Sequence, residues 1–176
     1  MKLKLFWGVL AIGVFAGCGG NGNSLPTDTS TSPSAGVTCE LKSDAVCLRA
    51  DLHGQNLEGK FLVGIDLRKA NLEGANLSGA DLSQANLVGA NLNGVNFDGA
   101  ILVRTSFSSS TLGNASFKRA LLTGADFRGA NLEFANFDRA YLTDANFAGA
   151  KNLGTLKDSF VCKTTLPDET VGAPSC

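Results

Sequence analysis

Between residues 50 and 150 a leucine or phenylalanine falls at every fifth position, from Leu52 to Phe147, without a slip. Ala usually stands two residues before each of these centres and Asn or Asp one before, as in Ala70-Asn71-Leu72 and Ala125-Asp126-Phe127. Periodicity of this kind dictates architecture before any local motif does. A period of five matches neither the 3.6 of a helix nor the 2 of a flat strand. If each pentad forms one short side and turns a corner, four sides close a square coil. The centre and the residue two before it then point inward, and the other three point outward. Small Ala lets the corner close while Leu or Phe fills the shaft. Gly two after the centre (Gly54, Gly74, Gly79, Gly89, Gly94, Gly124, Gly129) suits turns with positive φ. With coils stacked about 4.8 Å apart, the twenty pentads make five coils and a shaft roughly 24 Å long. From Phe97 onward Phe and Leu alternate, which puts Phe on two opposite walls, 97/117/137 and 107/127/147, and Leu on the other two.

The run resembles the pentapeptide-repeat family, whose pattern is A(D/N)LXX. That resemblance implies an all-β fold, a right-handed quadrilateral β-helix of about five coils, over about 100 of the 176 residues. Gln55 and Lys60 stand at inward positions, which predicts a first coil that is irregular or open to solvent. Thr105, Ser106, Ser110, Thr111 and Ser116 make the middle more polar without breaking the register.

Outside the repeat the chain divides by composition. Residues 1–17 follow a signal-peptide plan, with Lys2 and Lys4 ahead of an apolar stretch from Leu5 to Phe15. That stretch is short of the roughly 20 residues a spanning helix needs. Phe15-Ala16-Gly17-Cys18 resembles a bacterial lipobox, with Cys18 as the acylated, palmitate-bearing first mature residue. Gly19 rather than Asp after it resembles lipoproteins sent to the outer membrane, facing the periplasm, with inner-membrane retention or surface display as the alternatives. Residues 18–38 read as the lipidated Cys18 and a Gly/Ser/Thr/Pro tether, whose reach is about 25 Å. An N-terminal cap over 39–49, the β-helix over 50–150 and a C-terminal cap over 151–176 complete the domain reading.

The cysteines agree with export. Apart from Cys18, Cys39 and Cys47 precede the run while Cys162 and Cys176 follow it. Three pairings are open, and the shaft between the two groups favours Cys39–Cys47 and Cys162–Cys176 as clips closing the ends. The tail VCKTTLPDETVGAPSC also resembles the ending of many exported members of the family, where a CxTTxPD stretch follows the last coil. The spacings are not CxxC and the compartment is oxidising, so no metal is expected.

Catalysis finds little support. His53 is the single histidine and lies outward on the first coil, so no His-centred triad can assemble. The Asp and Asn residues (Asp51, Asp66, Asp81, Asp126) follow the repeat, as turn and ladder hydrogen bonding requires. The glycines match no phosphate loop, and no cofactor is expected. The gyrase-protecting members of the family imitate DNA with an acidic rod. Here the mature chain keeps 13 basic against 16 acidic side chains, and Arg68, Lys69, Arg104, Lys118, Arg119, Arg128 and Arg139 lie among the acids. No dense negative field follows the axis, and no nucleic acid is expected as partner.

One outward column departs from the polar rule. At twenty residues per coil, positions 61, 81, 101, 121 and 141 align as Phe, Asp, Ile, Leu and Tyr. The column beside them begins Val63, Ser83, Val103. Phe61, Val63, Ile101, Val103, Leu121 and Tyr141 are therefore the candidate partner-binding residues, for a second copy or an envelope protein. The expected function is a non-enzymatic, lipid-anchored scaffold of the bacterial cell envelope, held to the membrane through Cys18. An envelope enzyme or glycan-binding factor is the alternative, ahead of a DNA-mimic inhibitor of a topoisomerase.

Overall fold

The structure, a computed structural model, describes residues 39–156 and 158–172. Contacts divide the chain into Met1–Ser32 and Pro33–Cys176. Everything described belongs to the second unit; the expected signal peptide, Cys18 and the tether lie outside the described residues.

Each pentad repeats one set of bonds. The residue before the centre forms a parallel β-bridge with the residue twenty positions on, from Val46↔Asp66 through Asn131↔Lys151. The N–H of Asn71 donates back to Ala50 and that of Leu72 forward to Asn91, so each coil is tied on both sides. The Leu72 carbonyl then accepts the Ala75 N–H at 2.9 Å, which closes a β-turn and swings the chain through a corner. The product is a right-handed quadrilateral β-helix. The third turn residue has a positive φ at every fifth position from Asp44 to Gly149. Eleven of these twenty-two positions are not glycine, so the ladder imposes the conformation and glycine only eases it. Asn and Asp precede the centre because they do two jobs there. The Asn71 Oδ1 accepts the Glu73 N–H at 3.3 Å, and the Asn91 Nδ2 donates to Asn71 Oδ1 one coil away at 3.1 Å.

Four faces enclose the bore. Face 1 is centred on Leu52, Leu72, Leu92, Leu112 and Leu132, and face 2 on Leu57, Leu77, Phe97, Phe117 and Phe137. Face 3 is centred on Leu62, Leu82, Leu102, Leu122 and Leu142, and face 4 on Cys47, Leu67, Leu87, Phe107, Phe127 and Phe147. All these centres are buried. The Phe columns align as the period predicts. Rings stack along each wall at 4.7–5.0 Å and meet edge to face across the bore at 5.7–5.8 Å.

The ends differ from the sequence expectation. The coil begins one pentad before residue 50, because Ala45-Val46-Cys47 already keeps the register. Cys47 fills a centre and is wholly buried, a small apolar side chain doing the work of Leu. Part of the expected 39–49 cap is thus β-helix, and one cysteine lies inside the solenoid. The first full coil is regular in its backbone, with the Gln55 and Lys60 N–H groups closing turns at 3.1 and 3.2 Å. It is open to solvent only through those two exposed side chains. In the polar middle, Thr105 and Ser110 are buried with their hydroxyls donating to the Leu82 and Phe107 carbonyls at 2.7 and 2.6 Å.

At the other end the ladder continues at a spacing of nineteen, as Tyr141↔Phe160 and Asn146↔Thr165. There β1 (Thr164–Thr165) pairs antiparallel with β2 (Val171–Gly172). Cys39 and Cys47 are joined in a disulfide, their Cα atoms 5.3 Å apart. Cys162 is also disulfide-bonded; Cys176, its expected partner, lies outside the described residues.

Candidate interaction surface

Outward side chains stand in columns because every coil repeats the one before it. On face 3 the β-bridges run Phe61↔Asp81↔Ile101↔Leu121↔Tyr141↔Phe160, a single ladder along the shaft. Phe61 is 76 % exposed, Leu121 39 %, Tyr141 43 % and Phe160 54 %. Ile101, Val63 and Val103 are half-buried. Asp81 interrupts the column, accepting the Ser83 N–H and hydroxyl at 2.9 and 2.6 Å. Phe61 is thereby set apart, and the unbroken apolar run is Ile101–Leu121–Tyr141–Phe160. Phe160 was not among the residues expected from the sequence, since one residue fewer separates it from Tyr141 than the period allows. Its ring nevertheless stacks on Tyr141 at 4.6 Å and 8°.

The other faces are polar. On face 4 the Arg68 and Arg128 guanidinium groups each grip the aspartate two residues back, at 2.7 and 2.8 Å. The Arg68 side chain, ahead of its N–H and its charge, lowers the Asp66 pKa below the usual carboxylate range. At Asp126 burial pushes the carboxyl up, and the hydrogen bonds and charge of Arg128 more than offset it. A folded-state pKa below the unfolded value gives stability that is present at neutral pH. It is lost as pH falls from about 4 through the folded value. Asp66→Asn with Asp126→Asn is expected to flatten the acid limb of a pH–stability curve while changing stability at pH 7 by less than about 1 kcal/mol, since the guanidinium groups are solvated. Urea titration of both proteins from neutral to acid pH checks this; an unchanged acid limb would refute it.

A groove of about 1160 Å³ follows the corner between faces 2 and 3. Asp98, Gly99, Lys118, Arg119, Asp138, Arg139 and Asp158 form one side of it, and Tyr141 and Phe160 the other. The Asp98 carboxylate is engaged by the Ser116 hydroxyl and the Lys118 N–H. No His, Cys, Asp or Glu side chains gather as a metal-binding group among the described residues. His53 is exposed at the far end of the shaft.

The family model described as pentapeptide repeats matches residues 45–84, 85–124 and 120–151, in 8 copies. No curated protein matches the chain. Among solved structures, full-length QnrB1, a plasmid-mediated fluoroquinolone resistance protein, is 20% identical. That alignment covers 69% of this chain and 84% of QnrB1, with a TM-score of 0.44. HetL, a pentapeptide repeat protein involved in heterocyst differentiation regulation from the cyanobacterium Nostoc sp. strain PCC 7120, is 23% identical. It aligns over 74% of this chain and 86% of its own, with a TM-score of 0.28. A pentapeptide repeat protein from the Arabidopsis thaliana thylakoid lumen is 30% identical over 56% of this chain and 66% of its own, with a TM-score of 0.32. The repeat model alone spans more than half of the 176 residues, and the repeat it describes is the one that builds the bore; the chain belongs to the pentapeptide-repeat family.

Proposed function

We propose that this protein is a lipid-anchored scaffold of the bacterial cell envelope that docks a partner protein on face 3. Pentapeptide-repeat proteins are generally non-enzymatic structural or interaction proteins, and this reading places the present chain among them. The observation that carries it is the ladder Ile101–Leu121–Tyr141–Phe160. Elsewhere along the coils the residue before the centre is almost always Asn, Asp, Ser or Thr, each with a backbone or side-chain role. On this face the same position holds side chains that make no hydrogen bond to the next coil, which stabilises the shaft less and leaves apolar surface in water. Such a patch is what a docked partner covers. The lipobox-like Cys18 and the tether behind it hold the shaft at the membrane, and the Cys39–Cys47 disulfide fits an oxidising compartment.

The test has two arms. Metabolic palmitate should label the protein and be lost in Cys18→Ser. Affinity capture from membranes should recover an envelope protein whose yield falls about tenfold or more in Ile101→Asn/Leu121→Asn, each lost contact weakening binding by about 1–2 kcal/mol. Capture unchanged in a variant that still folds, or a chain that takes no label, would defeat the corresponding half of the reading.

A further inference from the structure

Phe134 is misplaced in two respects. It is the third residue of its turn at φ 57°, a left-handed conformation that bulky side chains resist. Its ring is also 77 % exposed, whereas Arg119 and Arg139, at nearly the same φ, carry charges that water solvates. The same corner on the earlier coils holds Gly54, Gly74, Gly94 and Asn114, the residues that backbone prefers. A large apolar ring left in water at a corner that elsewhere holds glycine or a polar side chain points to a contact outside the chain.

The surface beside Phe134 narrows down what that contact is. Face 2 is the one face on which the residue before the centre never carries a charge: Asn56, Asn76, Asn96, Ser116 and Asn136. Face 1 has Asp51 and Lys151, face 3 has Asp81, and face 4 has Asp66 and Asp126. Two copies can therefore bring these columns together without like charges meeting at the middle of the face, the charges of face 2 (Glu58, Asp98, Lys118 and Asp138) standing at its edge. Phe134 and the exposed Glu133 form one edge of that face. The groove with Lys118, Arg119, Arg139, Tyr141 and Phe160 forms the other.

We propose that a second copy of this chain packs side by side on face 2, the two shafts parallel and related by a two-fold axis along the shaft direction. Such an axis brings the Phe134 corner of each copy onto the groove corner of the other at the same height, because residues 133–134 and 138–139 belong to neighbouring pentads of one coil. Phe134 then reaches the Tyr141–Phe160 edge of the facing groove. Glu133 meets Arg119 and Arg139, none of these three being in a salt bridge among the described residues. Asp138 and Asp158 also stand in the groove, so the contact needs Glu133 on the guanidinium side. Each contact occurs twice, as two-fold symmetry requires. The antiparallel alternative sets Phe134 against the glycine-lined corner of the other copy and leaves the ring uncovered. A strip this narrow buries less than the roughly 800 Å² per partner of a standard interface. Dissociation is therefore expected in the micromolar range. This surface shares Tyr141 and Phe160 with the face 3 ladder but leaves Ile101 and Leu121 free, and the inference does not depend on the docking of an envelope partner there.

Asn136 lies near the proposed axis, so its two copies face each other. The full chain carrying Asn136→Cys, treated with a short bifunctional maleimide, is expected to yield a covalent dimer on a denaturing gel. The chain without that change, and one carrying Asn71→Cys on face 1, should yield none. Phe134→Gly should cut the yield about tenfold while leaving the urea midpoint equal or higher, which separates a lost contact from a lost fold. Glu133→Arg should also cut it, and adding Arg119→Glu with Arg139→Glu should restore it. Ile101→Asn/Leu121→Asn should leave it unchanged. A monomer at every concentration, a dimer indifferent to Phe134→Gly, or no restoration by the charge exchange would overturn the proposal. So would a dimer that only the Ile101/Leu121 variant abolishes, since self-association would then belong to face 3.

Discussion

Phe117→Ala is expected to cost about 4 kcal/mol of unfolding free energy, near the top of what one side chain contributes. The ring is fully buried, stacked on Phe97 at 5.0 Å and on Phe137 at 4.9 Å. It meets the edges of Phe107 and Phe127 at 5.7 Å from the opposite wall. Alanine therefore removes four aromatic contacts together and opens a cavity that a hydrogen-bonded square cannot collapse to fill. Leucine at the same position should cost only about 1–2 kcal/mol, since Leu57 and Leu77 already fill this wall nearer the N-terminus. The loss should also change the shape of the transition. In a solenoid each coil contacts only its neighbours, so a gap at mid-shaft weakens the coupling between the two halves. Urea unfolding followed by far-UV circular dichroism should show a lower midpoint and a shallower slope. A loss below about 1 kcal/mol would mean that the stack does not support the bore.

The bore was legible because period five fixes which side chains share a wall. Leu72 and Leu92, and Phe97 and Phe117, fall in line through arithmetic alone, and the alternation after Phe97 locates both aromatic columns. The wall on face 3 follows from the same count. What escaped were residues governed by something other than the period. Cys47 keeps the register but is neither Leu nor Phe, so its pentad reads as flanking sequence until its burial is seen. Phe160 rejoins the ladder after a one-residue contraction, which only the hydrogen bonds from Leu142 to Phe160 and from Phe160 to Ala140 reveal. Phe134 sits in register and reads as ordinary surface, because the exposure of its ring at the corner is seen only in the structure. Periodicity reports position and says nothing of how far a corner side chain is left in water.

The second large effect concerns the end of the shaft. A chain stopped at Lys151 loses the carbonyls of Asp158, Phe160, Cys162, Thr165 and Pro167. These accept the N–H groups of Arg139, Leu142, Asp144, Phe147 and Gly149. It also uncovers Leu142 and Phe147, both fully buried in the intact chain and worth roughly 1.5–3 kcal/mol each. The truncated chain is expected to fray through its last coil and to associate through the freed edge, as unpaired parallel strands do. The opposite end shows why a cover is needed here. There Asp51, Asn56 and Phe61 make no backbone N–H bond to an earlier coil among the described residues. That rim is nevertheless wettable, because Gln55 and Lys60 take the inward place that Ala135 and Ala140 hold in the last full coil. Light scattering after size exclusion should find the truncated protein as large species. Amide exchange should show protection lost from Arg139 to Gly149 and kept near Leu92. Adding Ala135→Gln and Ala140→Lys to the truncated chain should recover a soluble monomer with a lower midpoint than the intact protein. If truncation alone leaves a monomer of unchanged midpoint, residues 152–176 do not seal the bore.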